Sequence, residues 1–187
     1  FNFMTYGNLR ILHSPTTSGG TTTPVAVASG IDLGDGNATD DDLDEFFLGG
    51  VLASTGRPYT VGTDPAFYTC ATINATDTAD SEEFLVGFQA PGSTAVTAVP
   101  QNATLGSHIN YALIGEYDTA ANCTTACPIY VLTGIAGTDV ATDTTDVAAD
   151  ATDYEFCVYV SAAGAVTYTR NGAAPTTTAA ATMADGV

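Results

Sequence analysis

Apolar and polar positions alternate most cleanly between Asp153 and Arg170. Tyr154, Phe156, Val158 and Val160 share one parity; Glu155, Cys157, Tyr159 and Ser161 share the other. A period of two is what a strand with one buried face requires. Ser161-Ala162-Ala163-Gly164 follows, with a Gly free to take positive φ, then Ala165 to Arg170 alternates again and Asn171-Gly172 ends the run. Asn-Gly beside alternating segments is the strongest short hairpin signal. The segment therefore reads as an antiparallel meander.

The same pattern predicts strands near Ala66–Ile73, Phe84–Phe88, Ile109–Tyr117 and Ile129–Thr133, beside Tyr154–Val160 and Ala165–Arg170. Thr138 to Thr152 has no hydrophobic periodicity and reads as a loop, and Val25 to Leu33 is a short apolar run. No segment carries a convincing helical period. Short strands separated by turns predict an all-β, antiparallel β-sandwich. Phe1 to Leu12 is strand-like, with Gly7-Asn8 as a break, and Ser14 to Pro24 is a Ser/Thr/Gly/Pro linker. Residues 1–24 thus read as an N-terminal arm with its tether, and 25–187 as the sandwich domain. Phe1, Phe3, Tyr6, Leu9 and Ile11 of the arm are the candidate assembly contacts, by strand addition to a neighbour's sheet edge.

Charge narrows the partners. The 187 residues hold Arg10, Arg57 and Arg170, no Lys, and 21 acidic side chains, for a net charge of −18. Binding of nucleic acid or an anionic membrane needs clustered cations, so both are excluded. No apolar run reaches the length of a membrane span, so no membrane insertion is expected. The most acidic stretch, Gly34 to Glu45, offers Asp35, Asn37, Asp40 and Asp42 as hard oxygen ligands of the kind Ca²⁺ prefers. Their spacing is not that of an EF-hand, so the readings are a calcium site or a solvated acidic loop. No other cofactor is implied.

Cys70 and Cys157 sit in strand-like runs, while Cys123 and Cys127 share a loop. One close pair, with His13 and His108 remote in sequence, does not make a zinc set. An even count in an acidic, Thr-rich chain fits two disulfides, Cys123–Cys127 and Cys70–Cys157, and an oxidising setting. Four reduced thiols is the alternative. Asn-x-Thr occurs at Asn37, Asn74, Asn102 and Asn122, each expected in a loop and each an acceptor type for glycosylation.

Catalytic constellations are poorly served. Glu82 and Glu83 are adjacent, so a strand sends them to opposite faces; Glu116 and Glu155 stand alone, and Ser107-His108 lacks a third member. The chain reads as a non-enzyme. An aromatic platform for a glycan would draw on Tyr59, Tyr68, Tyr111, Tyr117, Tyr130, Tyr159 and Tyr168, whose strand register equally suits core or sheet surface.

Arg57-Pro-Tyr-Thr-Val-Gly-Thr-Asp-Pro-Ala-Phe-Tyr68 followed by Glu83-Phe-Leu-Val-Gly-Phe88 resembles one half of a concanavalin A/laminin G-like jelly roll found in virion proteins of tailed bacteriophages. Asp143-Thr-Thr-Asp146, Asp153 to Val160 and Gly164 to Gly172 resemble the other half. The resemblance spans Arg57 to Val187 and leaves out the arm. It implies a non-enzymatic virion structural protein on the particle exterior, an outer capsid decoration or appendage subunit, whose partners are its own copies or other virion subunits. The other readings are an extracellular filament subunit assembled by strand addition and an adhesion module binding calcium or a glycan receptor. The family continues past the equivalent of Asp185-Gly186 with more core strand, which implies either more chain or a neighbouring subunit that completes the sheet. The cysteines are not part of the family pattern.

Overall fold

The computed structural model of the chain describes residues 59–75, 84–89, 110–116, 127–135 and 138–183, together with the strand pairing of 2–6, 9–13, 25–27 and 30–32. The described residues contain strands and turns but no helix, and the main body is two four-stranded antiparallel sheets.

Two short hairpins come first in the chain. β1 (Asn2–Tyr6) pairs with β2 (Leu9–His13), and β3 (Val25–Val27) pairs with β4 (Gly30–Asp32). The break expected at Gly7-Asn8 thus separates two paired strands, and the apolar run from Val25 divides in the same way.

The first large sheet contains β5 (Phe67–Ala75), β10 (Thr152–Val160), β11 (Ala165–Arg170) and β12 (Ala181–Thr182), in the order β12-β11-β10-β5. Its centre is the meander read from the sequence. Ser161 to Ala165 is a tight loop in which the Ser161 N–H donates to the Ala165 carbonyl and Gly164 takes φ 86°. A side chain at Gly164 would also run into the Met183 carbonyl. Asn171 (φ 51°) and Gly172 (φ 77°) form the second turn, and both must be left-handed for a two-residue hairpin loop of this hand. The Asn171 N–H donates to the Glu155 carbonyl and its Oδ1 accepts from the Glu155 N–H, both at 2.8 Å, which fastens the turn to β10.

The second sheet is β6 (Phe84–Gln89), β7 (Tyr111–Glu116), β8 (Pro128–Ile135) and β9 (Thr138–Val147), in that order. β9 corrects the reading of Thr138 to Thr152 as a loop. Among the described residues it is an edge strand, bonded only to β8. An edge strand gives its residues little apolar surface to cover, so periodicity is not required of it; its β-branched Thr and Val supply the strand preference instead. The ladder also slips here, with Pro128 opposite Val147 but Tyr130 opposite Asp143. Thr145 absorbs the slip at φ 62°, a strained value for a β-branched residue. Asp143 Oδ1 accepts from the Thr145 N–H, and the buried Thr144 hydroxyl donates to the Ile129 carbonyl at 2.6 Å.

The facing sides of the sheets make one apolar layer. Phe156, Val158 and Val160 of β10 meet Ala112, Ile114, Ile129 and Val131 of the second sheet, all at most 1% exposed. Each such large side chain contributes roughly 1.5–3 kcal/mol by leaving water. Phe84 and Phe156 touch across the layer with ring centres 5.3 Å apart, and Phe67 meets Phe88 edge-on at 4.9 Å. Where β9 faces the end of β11, the layer is closed by polar contacts. Arg170 donates to the Val147 carbonyl at 2.7 Å, lies 4.4 Å over the Tyr154 ring and faces Asp146, whose carboxylate also takes the Thr176 hydroxyl at 2.9 Å.

Candidate binding face on the first sheet

The outward side of the first sheet follows from register. β5 and β10 place Tyr68 opposite Tyr159, Cys70 opposite Cys157, Thr72 opposite Glu155 and Asn74 opposite Asp153. The other parity is turned into the core, so these four pairs form a ladder facing water. Their contacts change along the strands, from aromatic to covalent to polar.

At one end Tyr68 and Tyr159 lie side by side, ring centres 5.5 Å apart and planes 25° apart. They remain 65% and 37% exposed. Together with Ala66, Ser161, Ala165 and Thr167 they line an open, shallow groove of about 310 Å³ that holds no charged side chain. That is unusual on a chain of net charge −18. Such a surface offers aromatic faces with hydroxyls at the rim, a combination that suits another protein or a neutral polyhydroxylated ligand.

In the next rung, Cys70 and Cys157 form a disulfide with Cα atoms 4.1 Å apart, as the sequence predicts. Cys70 lies on the exposed edge strand and Cys157 is buried. The bond joins residues 87 positions apart. Closing so long a loop stabilises the fold by about 2–4 kcal/mol, chiefly by restricting the unfolded chain. At the far end, the Asn74 amide donates to Asp153 at 2.6 Å. Asn74 therefore lies within β5 rather than in a loop, with its amide already engaged. As a glycosylation acceptor it would first have to give up that bond.

The tyrosines separate by environment. Tyr111 and Tyr168 are buried, and burial pushes the Tyr168 hydroxyl well above the usual phenol range. Tyr59 stacks on Phe67 at 4.4 Å. Only cross-strand register singles out Tyr68 and Tyr159, and register is set by pairing partners that a single strand's pattern does not carry. Glu116 is buried and Glu155 exposed, on different sheets. Cys127 is buried and in a disulfide. Its expected partner Cys123 lies outside the described residues, as do Asp35, Asn37, Asp40, Asp42, Asn102, Asn122, Tyr117, Glu82, Glu83, Ser107, His108 and Phe1. Phe3, Tyr6, Leu9 and Ile11 fall in β1 and β2, where Phe3 is opposite Leu12 and Tyr6 opposite Leu9. Among the described residues no helix is long and apolar enough to cross a membrane, and no cluster of His, Cys, Asp or Glu is arranged to hold a metal ion.

No protein-family model, curated protein or solved structure matches the chain.

Proposed function

We propose that this chain is a non-enzymatic structural subunit on the outside of a particle, a jelly-roll sandwich with an N-terminal arm that acts through protein–protein assembly. The motifs quoted above favour a virion, with the chain as an outer capsid decoration or appendage subunit. The observation that carries the reading is the solvent side of the first sheet. It presents an uncharged patch with the exposed Tyr68–Tyr159 pair on an otherwise acidic molecule. Aromatic residues are enriched where proteins meet, and charged ones are depleted at the centre of such contacts. The Cys70–Cys157 staple fits an oxidising, extracellular location.

Deletion of residues 1–12 tests the reading. The expected product keeps its β circular dichroism spectrum but sediments as a monomer where the full chain sediments as an assembly. A truncated chain that assembles like the full one overturns it. The groove beside Tyr68 and Tyr159 also favours a second reading, an adhesion module for a glycan receptor. In that case the isolated full chain binds a neutral oligosaccharide on a glycan array, and Tyr68→Ala removes the signal.

A further inference from the structure

β5 is one edge of the first sheet among the described strands, β12 being the other, and its geometry is unusually permissive. In an antiparallel pair, opposite residues alternate between a wide rung that exchanges backbone hydrogen bonds and a narrow rung, Cα atoms about 4.5 Å apart, that does not. Cys70 and Cys157 stand 4.1 Å apart and so form a narrow rung. An independent contact agrees: Glu155, opposite Thr72, spends both its N–H and its carbonyl on Asn171. Tyr68, Cys70, Thr72 and Asn74 therefore point their backbone N–H and C=O groups away from β10, along the open edge. Among the described residues no strand pairs with that edge.

Natural edges are usually blunted by Lys, Pro, a bulge or an inward charge. β5 reads Phe-Tyr-Thr-Cys-Ala-Thr-Ile-Asn-Ala over nine residues, with no Pro and no charge, and pairs with β10 in unbroken register. The same chain also carries a donor for it. β1 and β2 form a two-stranded sheet that, among the described residues, bonds to no other strand. A lone hairpin is marginal in water and gains from a third strand. Charge points the same way. The first acidic residue of the chain is Asp32, so all 21 acidic side chains lie beyond the hairpin, while β2 carries Arg10 and His13. The hairpin is thus the part of one copy that the acidic body of another attracts. A second β5 as donor would instead set two strongly acidic bodies side by side.

We infer that the edge of β5 is an acceptor for strand addition, and that its occupant is the β1–β2 hairpin of a second copy, which extends the first sheet from four strands to six. This rests on the assembly reading above and gives that assembly its docking site. Main-chain bonds supply affinity in such a contact, and the exposed Tyr68, Cys70, Thr72 and Asn74 side chains lie along its solvent side.

The test uses the full chain and sedimentation over a concentration series. Thr72→Pro removes an outward N–H without taking a bond from β10, and Thr72→Lys places a blunting charge on the same edge. Both are expected to shift assembly to at least tenfold higher concentration, with the circular dichroism spectrum and melting temperature of the unassembled chain kept. Val140→Lys, at an exposed position of β9 in the second sheet, away from the groove, is expected to leave assembly as it is. Arg10→Glu is expected to weaken assembly by a similar factor. If both Thr72 variants assemble like the wild type, β5 is not the acceptor, and the assembly reading survives without it. If Thr72 variants fail to assemble but Arg10→Glu has no effect, the hairpin is not the donor. A wild-type chain that is monomeric throughout overturns the inference together with the reading it rests on.

Discussion

The two sheets share one buried layer but differ on their outer sides. On the first, the outward residues are Tyr68, Cys70, Thr72 and Asn74 opposite Tyr159, Cys157, Glu155 and Asp153, and most of them are exposed. On the second, the outward residues include Tyr111 and Leu132, at 1% and 0% exposure, with Leu85, Leu113 and Tyr130 packed around them. The Tyr111 ring lies over Gly134, directly opposite it, where any side chain would collide with the ring. One sheet is therefore apolar on one side and the other on both. The sheet with a wet side is the one able to carry a surface function. The sheet with two dry sides is bound to the stability of the molecule.

Truncating one outward residue on each sheet gives the largest contrast. Leu132→Ala should behave as a core truncation and cost about 2–5 kcal/mol. Tyr159→Ala, on the wet side, should cost under about 1 kcal/mol. Chemical denaturation of both variants measures this, and equal losses would erase the distinction between the sheets. The disulfide comes next. Replacing Cys70 and Cys157 together by Ala should lower stability by about 2–4 kcal/mol with the same native spectrum. A loss well under 1 kcal/mol would mean that β10 holds β5 in place without the staple.

The regions that the sequence made legible are those with one wet side. β10 and β11 alternate because, Cys157 apart, only one parity is buried, and the pattern alone predicts β11 at Ala165–Arg170. β7 and β8 are buried on both parities, so alternation says little about their faces; of the strand expected over Ile109–Tyr117, the described residues form Tyr111–Glu116, preceded by Asn110 at φ 55°. β9 is not marked by alternation because an edge strand need not alternate. The Tyr68–Tyr159 pair does not stand out among seven candidate tyrosines in the sequence, because its partners are 91 positions apart and meet only through register.

Smaller effects sharpen the picture of the wet sheet. Asn171→Ala replaces a residue that tolerates the left-handed region with one that tolerates it poorly, and removes the acceptor for the Glu155 N–H, so it should cost about 1–2 kcal/mol. Asn171→Gly keeps the turn and should cost less, and thermal melts of the two separate backbone strain from the lost bond. The smallest effect concerns Tyr168, which faces the core. Its phenol is held neutral by burial, so its folded pKa lies above the unfolded value of about 10. Above that pH the unfolded chain releases this proton and the folded one keeps it. Stability therefore falls as pH rises past about 10 and is fully present below it. Tyr168→Phe should flatten that fall in a series of alkaline melts, and an unchanged slope would place the titrating group elsewhere.

The most direct measurement is residue-resolved amide exchange along β5, in the unassembled and the assembled chain. The register described here sends the amides of Thr69, Ala71 and Ile73 to β10 and those of Tyr68, Cys70, Thr72 and Asn74 to the open edge. Exchange is expected to be slow for the first group in both states, and fast for the second in the unassembled chain but slow on assembly. Slow exchange of the second group in the unassembled chain, or no change in it on assembly, would contradict the claim that this edge of the first sheet is open and used.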